Sequence, residues 1–352
     1  MNCTDVVLLC FLLLGFGIFT LSVFAANSQL TELPDSGHVD DTSFTLIVPV
    51  RNESATVLQT LKNQLLTLNE NAACNFWVID DGSQEALSFD NAELDRHILR
   101  TPADASGSKK RALTLGVERA SSHWIVTSDA DTLWNLDWLN SIRQQAYPHT
   151  SMLIGPVFSQ ENSSFFSLLS YYESLCLWTL AASSCRLGIP ILASGANLAF
   201  KKTSWEAVGG YASHIHRPSG DDVLLMAELA AKFPNEVNVL KGRRAFTTTI
   251  SEPHFKPWLA QRRRWISKTD HLNHPLKKGY ALLLLVWLFA PFLLCLVHPL
   301  LPLLWFLLEY LWIFRLTQWY RLRSQAWRWI LFRCVYPLTL PLILFSAPKA
   351  WK

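Results

Sequence analysis

The sequence predicts an α/β domain with a mostly parallel central sheet, flanked by transmembrane helices at its N- and C-terminal ends. Two observations carry this prediction. The middle of the chain alternates short, continuously apolar runs with amphipathic stretches, as an α/β fold alternates buried strands with helices. The two ends hold long apolar runs, which leave the 352-residue chain with only 17% charged residues. A soluble domain has roughly 25%.

The first strand and helix are predicted at residues 45–50 and 54–68. The first segment, TLIVPV, is apolar throughout, which indicates a strand that is covered on both faces. In the second segment, leucines recur at helical spacing and form one stripe, and Ser54 stands where a helix N-cap is expected.

The same order then repeats along the chain. A strand is predicted at residues 75–79, a helix at about 108–120 and a third strand at 123–127. In doubly wound sheets, ligands bind beyond the carboxyl ends of the strands. Two acidic motifs, Asp80-Asp81-Gly82 and Asp129-Ala130-Asp131, follow predicted strands and are therefore candidate binding elements.

The two acidic motifs suit different ligands. Asp129 and Asp131 offer carboxylate oxygens to Mg²⁺ or Mn²⁺, which bind through one or two carboxylates together with substrate phosphates. A solvated acidic turn is the alternative. Asp80 and Asp81 can accept hydrogen bonds from a nucleotide base or ribose, although Asp-Gly pairs are also common turn formers.

The N-terminal apolar run, residues 6–26, contains no charged residue and is long enough to cross a hydrocarbon core of roughly 30 Å. We interpret residues 1–26 as an uncleaved anchor rather than a signal peptide, because no positive charge precedes the run. The polar segment 27–43 then predicts a linker to a catalytic domain at residues 44–270.

A second apolar block, residues 279–314, is too long for one straight span, and Pro299 and Pro302 predict a break that makes it a transmembrane hairpin. A third apolar segment at residues 329–346 is expected either to span the membrane or to lie in its interface. Three residues are expected to interrupt it: Arg333, Pro337 and Pro341.

Basic residues cluster on both sides of the predicted hairpin, at residues 262–278 and 315–328. The positive-inside tendency then predicts a multi-pass membrane protein whose catalytic domain is cytoplasmic, at a bacterial inner membrane. We interpret Arg262 and Arg263 as facing anionic lipid headgroups. The formal net charge of +3 is too small to indicate nucleic acid as a partner.

Seven motifs, within residues 44–268, resemble those of family 2 glycosyltransferases with a GT-A fold. Four resemble the nucleotide-binding half: FTLIVPVRNES (44–54), VIDDGS (78–83), SKKRALTLGV (108–117) and SDADT (128–132). Three resemble the acceptor half: GANLAFKKTSWEAVGGY (195–211), GDDVLL (220–225) and QRRRW (261–265).

The resemblance implies a nucleotide-sugar donor and a divalent metal, Mg²⁺ or Mn²⁺. The residues implied in donor binding are Glu53, Asp80, Asp81, Lys109 and Asp129. Asp131, together with Asp129, would hold the metal on the diphosphate, where a cation assists departure of the leaving group.

On the acceptor side, Asp222 matches the family's general base, and Asp221 is the alternative because the family more often has glutamate at that position. Gln261, Arg264 and Trp265 match the family's (Q/R)xxRW element. The resemblance implies that Arg264 pairs with the diphosphate and that Trp265 offers a flat face to a sugar.

The implied reaction is an inverting, metal-dependent transfer of a hexose to a hydroxyl of a lipid or lipid-linked acceptor at the membrane. The implied partners are thus a nucleotide-sugar donor, a lipid or saccharide acceptor and membrane lipids. Two alternatives stay open. A processive polysaccharide synthase shares the QxxRW element but normally needs more spans, and a non-catalytic membrane scaffold would retain only the fold. Residues 165–187 predict a helix that either packs in the core or faces an acceptor lipid.

Overall fold

The computed structural model describes residues 20, 23–31, 43–71, 74–102, 108–134, 136–217, 219–269, 287–296 and 298–344. The chain divides into two compact units. The sheet unit contains residues 31–160 and 185–250, and the helical unit contains residues 1–30, 161–184 and 251–349. The catalytic domain predicted at residues 44–270 thus contributes residues to both units.

The sheet unit is built on a seven-stranded sheet of order β3-β2-β1-β4-β8-β6-β9 and a three-stranded sheet of order β5-β10-β7. The strands are β1 (Phe44–Val50), β2 (Asn75–Asp80), β3 (Ile98–Arg100), β4 (Trp124–Thr127), β5 (Thr132–Leu133), β6 (Met152–Ile154), β7 (Val157–Ser159), β8 (Leu198–Lys201), β9 (Val237–Val239) and β10 (Thr247–Thr249). Strands β3, β2, β1 and β4 are mutually parallel, whereas β8 runs antiparallel to β4 and β6.

The helices are numbered along the chain through both units. They are α1 (Ala55–Glu70), α2 (Ala92–Asp95), α3 (Lys109–Arg119), α4 (Leu136–Arg143), α5 (Phe165–Arg186), α6 (Lys202–Ala207), α7 (Val223–Lys232), α8 (Phe255–Thr269), α9 (Leu301–Trp319) and α10 (Ala326–Leu344). Residues 287–294 are also helical.

The predicted strands and helices of the first half of the sheet unit are confirmed to within two residues. Ser54 caps α1 by accepting a hydrogen bond from the Val57 amide at 3.4 Å, and the leucine stripe of this helix is buried. All residues of β1 except one are buried, as a strand covered on both faces requires.

Helix α3 packs unusually close to β1. A Cβ atom at Gly116 would lie 2.7 Å from Cγ2 of Ile47, which is fully buried. Only glycine therefore allows this helix to approach the sheet so closely. The approach fixes the position of the N-terminal turn of α3, where Lys109 and Lys110 lie.

Asn197, just before β8, ties three parts of the sheet unit together. Its side chain accepts a hydrogen bond from Trp138 Nε1 at 2.8 Å and donates to the carbonyls of Pro156 and Ala245, both at 2.9 Å. Gly155 leaves room for it, since a Cβ there would overlap the Asn197 side chain. This buried amide fixes where β8 begins.

In the helical unit, a buried ion pair joins α5 to α8. The guanidinium of Arg262 contacts the Glu173 carboxylate and lies 4.6 Å from the Trp258 ring, and Tyr336 of α10 donates to the same carboxylate. Arg262 is 2% exposed. The interpretation that Arg262 faces lipid headgroups is therefore wrong, because its guanidinium is buried in an ion pair with Glu173, which is distant in sequence.

A second buried ion pair joins α9 to α10. Arg333 is fully buried, with Nε 2.7 Å from Glu309 Oε2 and the guanidinium 4.2 Å from the Trp287 ring centroid. Helix α10 is continuous through Arg333, Pro337 and Pro341. The two prolines therefore do not break the helix, and Glu309 neutralises the charge of Arg333 within the helical unit.

The predicted membrane segments find no support in the helices of the described residues, none of which is both long enough and apolar enough to cross a bilayer. The predicted break in the second apolar block is present, since residues 295–296 and 298–300 are not helical. The predicted anchor lies outside the described residues except at residues 20 and 23–26.

Candidate active site

The loops that follow β1, β2 and β4 meet at one edge of the large sheet. Val50, at the end of β1, pairs with Asp80 at the end of β2, and the Asp81 amide donates to the Val50 carbonyl at 2.9 Å. Strand β4 pairs in parallel with β1 from the other side. Both acidic motifs therefore lie at the carboxyl edge, where a doubly wound sheet binds its ligands.

Asp80 holds the first acidic loop in shape. Its Oδ1 accepts from the Ser83 amide at 2.9 Å, its Oδ2 accepts from the Leu87 amide at 3.2 Å, and Arg100 Nε lies 3.5 Å from Oδ2. The side chain is 1% exposed. With both oxygens committed to the protein, Asp80 supports the loop.

Asp81 is satisfied on one oxygen only. Its Oδ1 accepts from the Ser108 amide at 3.2 Å and from Thr101 Oγ1 at 3.4 Å. Its Oδ2 is buried and accepts no hydrogen bond from the described residues, with Arg51 Nη1 at 3.8 Å. Burial raises the pKa of Asp81. A buried acceptor of this kind is suited to an N–H group of a ligand.

Lys109 connects the two carboxylate groups of the site. Its Nζ lies 2.6 Å from Asp129 Oδ1 and 3.0 Å from Asp221 Oδ2, although these residues are far apart in sequence. Burial acts to lower the pKa of Lys109. The negative charges of Asp129, Asp221 and Asp222 outweigh it and hold the pKa above its usual value. The ammonium therefore stays charged and links the two predicted halves of the site.

Asp222 starts α7 and touches the same cluster. Its Oδ1 accepts from the Val223 amide at 2.8 Å, and its Oδ2 lies 3.4 Å from the Gly195 amide. A Cβ at Gly195 would lie 2.9 Å from Lys109 Nζ and 3.2 Å from Asp221 Oδ2. Glycine at this position therefore leaves the space in which Lys109 meets Asp221.

Glu53, in the loop after β1, lies within the electrostatic reach of the second acidic motif. Partial desolvation of its carboxylate, together with the charges of Asp131 and Asp129, raises the pKa of Glu53 to about 7. Negative charge is therefore concentrated on this side of the cluster. Within the described residues, no three His, Cys, Asp or Glu side chains converge to form a complete metal site.

Gln261, Arg264 and Trp265 lie on α8 in the helical unit. Gln261 Oε1 accepts from Arg262 Nη1 at 2.6 Å, and the Arg262 guanidinium lies 4.9 Å from the Trp265 ring centroid. Two of the three motif residues, Gln261 and Trp265, thus contact Arg262, for which the sequence predicts no role in a site. The implied roles of Gln261, Arg264 and Trp265 stay predictions.

The structure brings together Lys109, Asp129, Asp221 and Asp222, all of which the sequence analysis had singled out. It adds two residues that carry no assigned role in the sequence, Arg51 beside Asp81 and Gly195 beside Lys109. The sequence does not predict either contact, because the partner residues are distant in sequence. Arginine and glycine are also common in loops, so their presence alone does not indicate a site.

Comparison with known proteins agrees with this arrangement. Residues 45–206 match the sequence family described as "Glycosyl transferase family 2". Among curated proteins, none matches the chain significantly.

Similar solved structures are also glycosyl-transferring enzymes by name. One is the mannosyltransferase PcManGT from Pyrobaculum calidifontis in complex with GDP-Man and Mn²⁺, with a TM-score of 0.55 and 16% identity over 95% of this chain and 98% of that chain. Another is glucosyl-3-phosphoglycerate synthase from Mycobacterium tuberculosis, with a TM-score of 0.43 and 13% identity over 68% and 84% of the two chains. With a TM-score above 0.5 and 16% identity, the likeness to the mannosyltransferase concerns the fold alone.

The raised pKa of Glu53 predicts a pH-dependent stability. A carboxyl group whose folded pKa of about 7 exceeds its usual 4.5 does not weaken the fold below pH 4.5, but does so increasingly as the pH rises through 7. Glu53→Gln should therefore stabilise the protein at pH 8 relative to wild type, and not at pH 4.5. Urea unfolding at the two pH values measures this difference.

Asp131→Asn provides the matched background, because it removes one of the charges that raise the pKa of Glu53. In that background, the gain from Glu53→Gln at pH 8 should shrink, as a double-mutant cycle would reveal. Equal gains at both pH values would contradict the electrostatic origin of the shift.

Proposed function

We propose that this chain, whose residues 45–206 match glycosyl transferase family 2, moves a hexose from a nucleotide-sugar to a hydroxyl of a lipid or lipid-linked acceptor, with inversion at the anomeric carbon. The observation that carries the proposal is the Lys109 ammonium. It joins Asp129, which follows the strand of the donor half, to Asp221, which precedes α7 of the acceptor half. Donor and acceptor carboxylates thereby share one cluster.

On the donor side, we assign recognition of the nucleotide to Asp81. Its buried Oδ2 accepts no hydrogen bond from the described residues, while Asp80 and Ser108 hold the surrounding loops. An N–H group of a base would supply the missing donor and lift the cost of leaving that oxygen unpaired. Arg51, 3.8 Å from the same oxygen, acts against the effect of burial on the pKa of Asp81 and favours the ionised carboxylate for this contact.

The second acidic motif fits a divalent cation. Asp129 and Asp131 supply hard oxygen ligands, and the raised pKa of Glu53 reflects the negative charge that these two residues accumulate. Two carboxylates suffice for Mg²⁺ or Mn²⁺ when the substrate's phosphates complete the coordination sphere. When bound, such a cation neutralises charge on the departing nucleoside diphosphate. Lys109 adds a second positive charge beside Asp129.

On the acceptor side, we assign the general base to Asp222, with Asp221 as the alternative. The base removes the proton of the acceptor hydroxyl as its oxygen attacks the anomeric carbon from the face opposite the diphosphate. Lys109 keeps the neighbouring Asp221 paired. The Gly195 amide, 3.4 Å from Asp222 Oδ2, orients the carboxylate of the proposed base. Gln261, Arg264 and Trp265 keep their implied roles toward diphosphate and sugar.

We also propose that the protein is held at a membrane, with the sheet unit on the cytoplasmic side. The support is the apolar run at residues 6–26 and an outward-facing apolar surface on the helical unit. Its exposed side chains on α9 and α10 include Leu303, Leu304, Leu307, Leu311, Phe314, Trp327, Ile330, Leu338 and Leu342. On α9, Leu303, Leu307, Leu311 and Phe314 recur every three or four residues and so share one helical face, and an exposed apolar face marks a contact with lipid or protein.

The metal requirement gives the first test of this function. Purified protein in detergent, incubated with a panel of nucleotide-sugars and extracted lipids, should form a glycosylated product that disappears with excess EDTA and returns with Mn²⁺ or Mg²⁺. Asp131→Asn should lower the affinity for the nucleotide–metal complex more than it lowers that for the acceptor. Full transfer in EDTA would remove the cation from the mechanism.

The identity of the base gives the second test. Asp222→Asn keeps the size of the side chain and one of its two amide contacts, since its single carbonyl oxygen can still accept from the Val223 or the Gly195 amide. It cannot take a proton, so turnover should fall by about 10²- to 10⁴-fold. Nucleotide affinity should hardly change, because the base faces the acceptor hydroxyl. Steady-state kinetics with varied donor and varied acceptor separate the two effects.

Asp221→Asn is the matched control for that test. Near-normal turnover in Asp222→Asn combined with a dead Asp221→Asn would move the base to the adjacent residue. If both variants retained turnover, the single-displacement mechanism would be wrong.

Membrane topology gives the third test. A reporter cysteine at Glu85 in the sheet unit or at Gln325 between α9 and α10 should be shielded from an impermeant maleimide in intact cells and labelled after permeabilisation. The native cysteines, including the exposed Cys295 and Cys334, are first replaced by serine. Labelling of either reporter from outside would contradict the proposed orientation.

A further inference from the structure

Lys110 carries a buried ammonium, and although it lies within the motif at residues 108–117, neither the resemblance nor the proposed reaction gives it a role. It is the second residue of α3, directly after Lys109, and only 1% of it is exposed. Its Nζ donates to three backbone carbonyls, those of His214 at 2.7 Å, Arg217 at 3.0 Å and Ser219 at 3.0 Å. Three acceptors are as many as an ammonium has protons to donate.

The three carbonyls belong to the segment that leads into the proposed acceptor carboxylates. This segment, residues 211–220, of which the structure describes all but residue 218, contains the 3₁₀ helix Ala212–His214 and ends at Gly220, whose φ of +89° favours glycine. Asp221 and Asp222 follow immediately. Any shift of the segment's backbone is therefore passed on to both carboxylates.

In its described residues, the regular structure of the segment is limited to the single 3₁₀ turn Ala212–His214. Its internal backbone hydrogen bonds include those from the His214 amide to Tyr211 and from the Arg217 amide to His214, which are single turns. Short turns of this kind open more easily than a helix or strand ladder. The ammonium, in contrast, gathers carbonyls from His214 through Ser219 around one point.

The side chains of Lys109 and Lys110 extend in different directions from the first turn of α3. Successive residues on an α-helix point about 100° apart, so Lys109 reaches the carboxylates while Lys110 reaches the backbone that carries them. Gly116 lets α3 pack closely against Ile47, which fixes the position of the helix on the sheet. Both ammonium groups extend from this one helix. The donor-side and acceptor-side groups are thereby placed from one element.

From this geometry we propose that Lys110 is a positioning residue, which fixes segment 211–220 and so sets where Asp221 and Asp222 stand relative to Asp129. The inference rests on the proposed function for the role of these carboxylates. The positioning itself is a property of the folded chain, and it can be measured without any substrate.

Lys110→Met keeps the length and the apolar stem but removes the three donors. Amide hydrogen exchange of peptides covering residues 211–222 should accelerate by about tenfold or more, while exchange in β1 and β4 stays as in wild type. Transfer turnover should fall by about 10²-fold, since small misplacement of reacting groups has effects of that size. The dissociation constants of UDP and GDP, titrated with Mn²⁺ present, should be unchanged.

Lys202→Met is the matched control. Lys202 also donates to a backbone carbonyl, that of Ala120 at the other end of α3, at 2.7 Å. Its replacement should leave exchange in residues 211–222 and the turnover as in wild type. Unchanged exchange in Lys110→Met, or equal acceleration in both variants, would overturn the proposal.

A measurement on the wild-type protein covers the case in which Lys110→Met does not fold. Acetylation of the native protein by an N-hydroxysuccinimide ester should leave Lys110 unmodified while the exposed Lys232 reacts, as read by mass spectrometry of peptides. Reaction of Lys110 at the rate of Lys232 would overturn the buried arrangement. If exchange and acetylation behave as expected but no sugar is transferred, the proposed function fails while the positioning stands.

Discussion

The candidate site depends on one constraint, the need to neutralise several carboxylates that the fold brings to the same edge of the sheet. Asp129 and the adjacent pair Asp221 and Asp222 come from separate parts of the chain, and the repulsion between their carboxylates would oppose their approach in a partly dry environment. The Lys109 ammonium, 12% exposed, offsets that repulsion by pairing with two of them at once. The packing of α3 on β1 and the glycine at position 195 both serve to place this ammonium.

In the helical unit, buried charges are neutralised by pairs of residues rather than by one shared ammonium. Arg262 and Arg333 are buried among apolar helices, and each is paired with a glutamate and flanked by tryptophan. Such pairs contribute little net stability, because desolvation of the charges cancels much of the attraction, but breaking one partner leaves a costly unpaired charge. They therefore act mainly to select one arrangement of α5, α8, α9 and α10 over others.

The GT-A α/β fold and the elements of its nucleotide-binding half were predictable from the sequence because their signals are local. The apolar β1, the leucine stripe of α1 and the cap at Ser54 each lie within a few residues. The antiparallel insertion of β8 and the small sheet of β5, β10 and β7 were not predicted, since these strands are short and pair across long stretches of chain. For the same reason the pairing of Arg262 with Glu173 escaped prediction, as did the bridge from Lys109 to Asp221. The predicted spanning helices rested on apolar composition alone, which does not reveal a buried partner such as Glu309.

The contact between Gly116 and Ile47 gives the fold a point of control that is remote from the chemistry. A single added methyl group at position 116 would meet a β-branched side chain with little rotational freedom, so the helix itself would have to move. Both lysines lie at the N-terminal end of that helix. A displacement of the helix would therefore move Lys109 and Lys110, and with them the donor-side and acceptor-side groups that they contact. Substitutions at Gly116, on the face of α3 that packs against the sheet, should therefore be poorly tolerated, although Gly116 lies outside the cluster of candidate site residues.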